Sequence, residues 1–129
     1  MAKLVDIDFK SWLELYGRAW MNLDPGLIDE LFTKDATYQE KPFEAPMKGI
    51  DAIRKYWNIV SETQKDVKFE YEILGSKDGR GVAHWKSSFV RPKQNTLVLL
   101  DGVLVVDLDS ENKCTRFQEW WQSKKTKNF

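Results

Sequence analysis

Three acidic side chains occur in settings where a carboxyl group can transfer protons. Glu40 ends a short run of β-favouring residues, Asp101 interrupts a long apolar run, and Glu119 lies between aromatic residues near the C-terminus. A carboxyl group held in an apolar cavity loses hydration, so its pKa rises and it becomes a usable acid or base near neutral pH. We therefore take Glu40 and Asp101 as candidate catalytic residues and Glu119 as a candidate pocket carboxylate.

Glu40 and Asp101 each have an alternative, structural explanation. Glu40 can be a solvated residue of an edge strand beside Lys41, and Asp101 can start a turn beside Gly102. Strand alternation nevertheless gives Asp101 the same face as four apolar residues, Leu97, Leu99, Val103 and Val105. If that face is the inner one, the carboxyl group needs a partner or a proton, because burying an isolated charge is costly.

The last predicted strand separates its aromatic residues between two faces. Phe117, Glu119 and Trp121 alternate onto one side, so the two consecutive tryptophans cannot line the same cavity. If this side faces a cavity, Glu119 can bind a ligand hydroxyl or amine. It can equally form a structural ion pair with an arginine such as Arg18 or Arg54.

Aromatic residues are numerous, with six Trp, four Tyr and seven Phe in 129 residues, and they must be buried or line a pocket. His84, the only histidine, alternates onto the solvated side of its strand and is a poor metal ligand on its own. We predict no metal site. The residues expected to line a pocket are Trp20, Tyr38, Trp57, Trp85, Phe89, Leu99, Phe117, Glu119 and Trp121.

The elements that position these residues are three helices followed by long strands. Helical spacing covers 7–21, a short helix opens at Asp24-Pro25, and a third covers 50–60. Strands are predicted at 36–40, 67–73, 81–91, 97–108 and 114–122, with a hairpin turn at Asp78-Gly79 and a loose tail at 124–129. The pattern predicts an α+β fold in which helices pack on one face of a strongly curved, mostly antiparallel sheet.

Composition limits the function. The length fits one domain over 1–129, and equal numbers of acidic and basic residues give no net charge to attract nucleic acid or an anionic membrane. One cysteine, no signal-like N-terminus and no apolar run long enough for a membrane span predict a cytoplasmic protein. Without a glycine-rich phosphate loop, a catalytic serine triad or an HExxH motif, we expect chemistry without a cofactor.

Several segments carry a family resemblance across nearly the whole chain. They are 20–25 (WMNLDP), 31–38 (LFTKDATY), 49–53 (GIDAI) and 117–121 (FQEWW). Together they resemble the SnoaL-like branch of the nuclear-transport-factor-2-like superfamily, which implies a cone-shaped α+β barrel. This superfamily includes isomerases, dehydratases, epoxide hydrolases, polyketide cyclases and silent binders, so the resemblance implies a fold more than an activity.

The resemblance also implies roles for three residues. Ketosteroid isomerases of this superfamily have a base on the short strand after the second helix, where Glu40 stands, and an oxyanion-binding tyrosine, where Tyr16 stands eight residues before Asp24. Their second oxyanion donor is an aspartate on the penultimate strand, which Asp101 matches. The resemblance also implies that the side of the last strand with Phe117, Glu119 and Trp121 faces the inside of the cone. We therefore predict a binder of a small, partly apolar molecule with possible acid–base catalysis. The alternative is a non-catalytic interaction module filled by its own aromatics, and a homodimer through the outer sheet face is expected in either case.

Overall fold

The computed structural model describes residues 2–128, with side chains from residue 9 onward. Three helices precede the long strands: α1 at Ala2–Met21, α2 at Ile28–Leu31 after a 3-10 turn at Pro25–Leu27, and α3 at Ile50–Thr63. Asp24 caps the 3-10 turn by accepting a hydrogen bond from the Gly26 amide at 3.0 Å, as the Asp-Pro pair predicts. No helix in this range is long and apolar enough to cross a membrane.

The strands form one six-stranded sheet. They are β1 at Phe32–Gln39, β2 at Met47–Lys48, β3 at Lys65–Lys77, β4 at Arg80–Arg91, β5 at Thr96–Leu108 and β6 at Cys114–Lys127. Their spatial order is β2-β1-β6-β5-β4-β3, and every pair is antiparallel except β1 with β6. The prediction of three helices on a curved, mostly antiparallel sheet is confirmed; the sheet does not close into a barrel.

Turns and bulges bend this sheet around the helices. Asp78 and Gly79, both with positive φ, form the two-residue hairpin predicted between β3 and β4. A Cβ atom at Gly79 would lie 2.9 Å from the Leu108 carbonyl oxygen. The position therefore requires glycine both for its positive φ and for this close approach. Register shifts between Ile73 and Gly75 add curvature, because a bulge increases local strand twist.

The C-terminal segment differs from the prediction of a loose tail after residue 123. Residues 124–127 continue β6 and pair with 96–99 of β5, from Leu99 opposite Lys124 to Thr96 opposite Lys127. Backbone hydrogen bonds to β5 hold this polar segment in the sheet, and they form without an alternation of apolar side chains. Phe129 lies outside the described residues.

Candidate functional site

A cavity of about 130 Å³ lies between the inner face of the sheet and helices α1 and α3. The structure brings nine of the predicted site residues to its wall: Tyr16, Trp20, Tyr38, Glu40, Trp57, Trp85, Phe89, Glu119 and Trp121. Eight further residues complete it: Tyr56, Val60, Gln64, Arg91, Val98, Leu100, Ser123 and Lys125. The wall is thus largely aromatic, with two carboxyl groups and two basic side chains.

Glu40 lies just beyond β1, where that strand runs beside β6. Gln39 pairs with Gln118 in the parallel ladder, so the next residue of each strand, Glu40 and Glu119, reaches the same part of the cavity. The Tyr56 hydroxyl of α3 donates a hydrogen bond of 2.5 Å to the Glu40 carboxylate. Glu40 is therefore a half-buried carboxylate held by a tyrosine.

Glu119 is the most deeply buried acidic side chain of the cavity, with 6% of its surface exposed. Arg54, one of the predicted ion-pair partners, binds Asp29 and Asp51 instead. Burial raises the pKa of Glu119 well above its ordinary value, and the nearby charge of Glu40 raises it further. Glu119 consequently keeps its proton at pH values where an exposed glutamate has lost it.

Two tyrosine hydroxyls form the polar part of the floor. The hydroxyl oxygens of Tyr16 and Tyr38 are 3.2 Å apart, and either can donate to the other. Burial raises the pKa of both tyrosines well above its usual value, and the negative charge of Glu119, the second cause, raises it further. The hydrogen bond between them uses the hydrogen of one hydroxyl group. The hydrogen of the other hydroxyl group remains available to an acceptor in the cavity.

The aromatic wall also contains polar donors. The indole N–H of Trp20 donates a hydrogen bond of 2.8 Å to Gln64 Oε1, which joins α1 to the C-terminal end of α3. The indole N–H groups of Trp57 and Trp85 are buried without a hydrogen-bond partner among the described side chains. Both rings line the cavity, so it combines apolar surface with a few donors, as small-molecule sites do.

Three predicted site residues lie elsewhere. Asp101 and Leu99 are on the outer face of β5, where the Asp101 carboxylate lies 2.7 Å from His84 Nε2 and Leu99 is 42% exposed. The prediction that they line the cavity was wrong, because the other alternating set of β5 residues, which includes Val98 and Leu104, forms the inner face. Phe117 faces inward but lies under the cavity floor, stacked on Tyr38 at a ring distance of 4.2 Å.

Sequence reasoning missed Tyr56, although a signal for it exists. Tyr56 lies three residues after Ile53 and beside Trp57, at the edge of the apolar stripe of α3. A tyrosine at such an edge can bury its ring while its hydroxyl reaches a polar partner. His84 stands on the outer face, as predicted. Among the side chains described, those of residues 9–128, no three potential ligands are grouped so as to hold a metal ion.

Comparison with known proteins gives a family-model match. The model described as the SnoaL-like domain matches residues 13–117. The search among curated proteins gave no match.

Solved structures share the fold at low sequence identity. The epoxide hydrolase/cyclase-like enzyme SalBIII, which takes part in pyran ring formation in the polyether salinomycin, is 22% identical over 88% of this chain and 89% of its own, with a TM-score of 0.77. An NTF2-like protein of unknown function from an Exiguobacterium species is 18% identical over 86% and 98%, with a TM-score of 0.71. An LEH-like epoxide hydrolase of M. tuberculosis is 16% identical over 87% and 80%, with a TM-score of 0.69.

Proposed function

Because the chain belongs to the SnoaL-like domain family, we propose that its inner cavity binds a small, partly apolar molecule and transfers protons on it without a cofactor. The observation that carries the proposal is the pair of glutamates, Glu40 and Glu119, on one cavity wall. Two carboxyl groups whose environments differ are the usual basis for assigning an acid and a base.

Glu40 is the proposed base. Its carboxylate accepts a hydrogen bond from the Tyr56 hydroxyl, which holds it in the cavity wall, and its remaining lone pairs can accept a proton from a substrate. Glu119 is the proposed acid, since its raised pKa keeps a proton ready for a substrate oxygen. This pair replaces the predicted pair of Glu40 and Asp101, because Asp101 lies outside the cavity.

The reaction class that fits this pair is isomerisation, dehydration or epoxide opening. In each of these reactions a base removes a proton from carbon or water while an acid protonates an oxygen. The tyrosine pair Tyr16 and Tyr38 adds a neutral donor near the same oxygen. The names of two structurally similar proteins, an epoxide hydrolase/cyclase-like enzyme and an epoxide hydrolase, support the same class.

Replacing Glu40 with glutamine tests this proposal. A panel of enolisable ketones, β-hydroxy ketones and small epoxides is first screened with the purified protein. On any substrate turned over, Glu40→Gln is expected to lower kcat by about 10²–10⁴-fold with little change in KM, because it removes the base and keeps the shape.

Asp101→Asn is the matched control, since it removes one carboxylate from the outer face. It is expected to keep the wild-type kcat. Equal losses in both variants would contradict the assignment of Glu40.

The second candidate is a non-catalytic binding module. The observation that favours it is the cavity volume of about 130 Å³, below the roughly 300 Å³ at which ligand pockets usually begin. Binding of panel compounds without turnover of any would support this module and reject the enzyme.

Self-association through the outer sheet face is a further proposal. Trp120, 44% exposed, and Leu99, 42% exposed, lie on that face and support it, since a partner would remove both from water. Sedimentation at micromolar protein is expected to give twice the monomer mass. A monomeric mass would overturn the dimer.

A further inference from the structure

We infer, resting on the proposed proton-transfer function, that the substrate is a small carboxylate whose anionic group is held at the cavity mouth by Arg91 and Lys125. Its neutral, reacting part then points inward to Glu40 and Glu119. The inference depends on how charge is distributed along the cavity.

The strand register orders the cavity wall from mouth to floor. Phe89, Val98 and the exposed Lys125 form one cross-strand row of this wall. Glu119 lies in another row, with Ala83 and Leu104, and all three residues of that row are buried. Lys125 and Glu119 are six residues apart on one face of β6, which is about 20 Å along the backbone, and their side chains reach the same cavity, so their charged groups are closer than that. The basic and acidic groups therefore occupy opposite ends of one cavity.

The two basic side chains at the mouth have no acidic partner among the described residues. The Arg91 guanidinium lies over the Phe89 ring, 5.2 Å from its centroid, and is partly buried. By contrast, Arg54 and Arg80 are each paired with aspartates. An unpaired guanidinium steadied on an aromatic ring suits a carboxylate, because its planar fork can donate two parallel hydrogen bonds.

The positions of the basic and acidic groups also indicate which charge the ligand carries and which of its ends lies inward. An ammonium group would meet Arg91 and Lys125 on entry, whereas a carboxylate pushed to the inner end would meet the charge of Glu40. A substrate with its carboxylate outward avoids both conflicts. The reacting atoms then lie several bonds from the carboxylate, because the acidic groups are deeper in the cavity.

A matched set of three probes tests the inference: hexanoate, hexanamide and hexylamine. Their binding is followed by the fluorescence of the tryptophans that line the cavity. We expect hexanoate to bind most tightly, and the double variant Arg91→Gln/Lys125→Gln to weaken its binding about tenfold or more while changing hexanamide binding less than about twofold.

Lys86→Gln/Lys124→Gln is the control, because both lysines are exposed and line a groove on the outer face of the sheet. It removes the same two positive charges and is expected to leave hexanoate binding unchanged. An equal loss in this control would overturn the inference, since the effect would then come from the general field of the protein.

The remaining outcomes separate this inference from the proposed function. Tighter binding of hexylamine, equal binding of all three probes, or no binding of hexanoate overturns the carboxylate assignment. Turnover of neutral panel substrates that depends on Glu40 would still support proton transfer in that case. Conversely, hexanoate selectivity without any turnover would keep the binding inference and reject the enzyme.

Discussion

Replacing Phe117 with alanine is expected to lower the free energy of unfolding by about 3–5 kcal/mol. The Phe117 ring is fully buried and stacks on Tyr38 with an interplanar angle of 5°. It also contacts the rings of Trp12 and Tyr16, so its removal leaves a hole that several rigid rings cannot fill. Such a loss is a large part of the stability of a domain of this size.

Denaturant unfolding measures this effect as a lower midpoint at an unchanged slope. Phe43→Ala is the matched control, because Phe43 is fully exposed and the same atoms are deleted. We expect it to change stability by less than about 0.5 kcal/mol. If both variants lost the same stability, the assignment of Phe117 to the core would be wrong.

Replacing Glu119 with glutamine is expected to stabilise the protein, by more at neutral pH than in acid. Burial raises the pKa of Glu119 in the folded state, whereas in the unfolded chain it is about 4.3. About one pH unit or more below that value, the carboxyl group is protonated in both states and imposes no pH-dependent penalty. As the pH rises, the unfolded chain ionises first, so wild-type stability falls until the pH passes the folded-state pKa.

Glutamine cannot ionise, so the variant escapes this loss. The gain at neutral pH is expected to be at least about 1 kcal/mol, because each unit by which the pKa is raised in the folded state lowers wild-type stability by about 1.4 kcal/mol. Unfolding midpoints measured from pH 4 to pH 8 give the test, with Glu70→Gln on the exposed outer face as control. A Glu119→Gln protein less stable than wild type at pH 7 would show that the carboxyl group has a stabilising partner.

The strand pattern predicted which side chains share a face, but on β5 it could not identify the inner face. Both alternating sets of β5 are apolar: Val98 and Leu104 on one side, Leu99 and Val103 on the other. Asp101 was therefore assigned to the correct set of neighbours and to the wrong side of the sheet. On β6 both alternating sets contain tryptophan, and the family resemblance decided which side faces inward; Glu119 lies in the cavity as that resemblance implied.

Other parts of the site depend on contacts that no local pattern encodes. Arg91 and Lys125 lie at strand ends far apart in the chain, and they meet the same cavity only through the register of β4, β5 and β6. The polar residues 124–127 carry no apolar alternation, so the continuation of β6 was missed. The helices were predictable because apolar spacing and the Asp24-Pro25 cap are local signals.

The parallel ladder of β1 with β6 affects how this chain folds during synthesis. Gln39 and Gln118 of that ladder are 79 residues apart in sequence, so the contact must close most of the chain into a loop. Contacts of such sequence separation form slowly. A nascent chain that has not yet emerged past Cys114 lacks the partner strand of β1 and also lacks Glu119. Folding of the sheet and assembly of the proposed Glu40–Glu119 pair therefore finish together, once β6 has been synthesised.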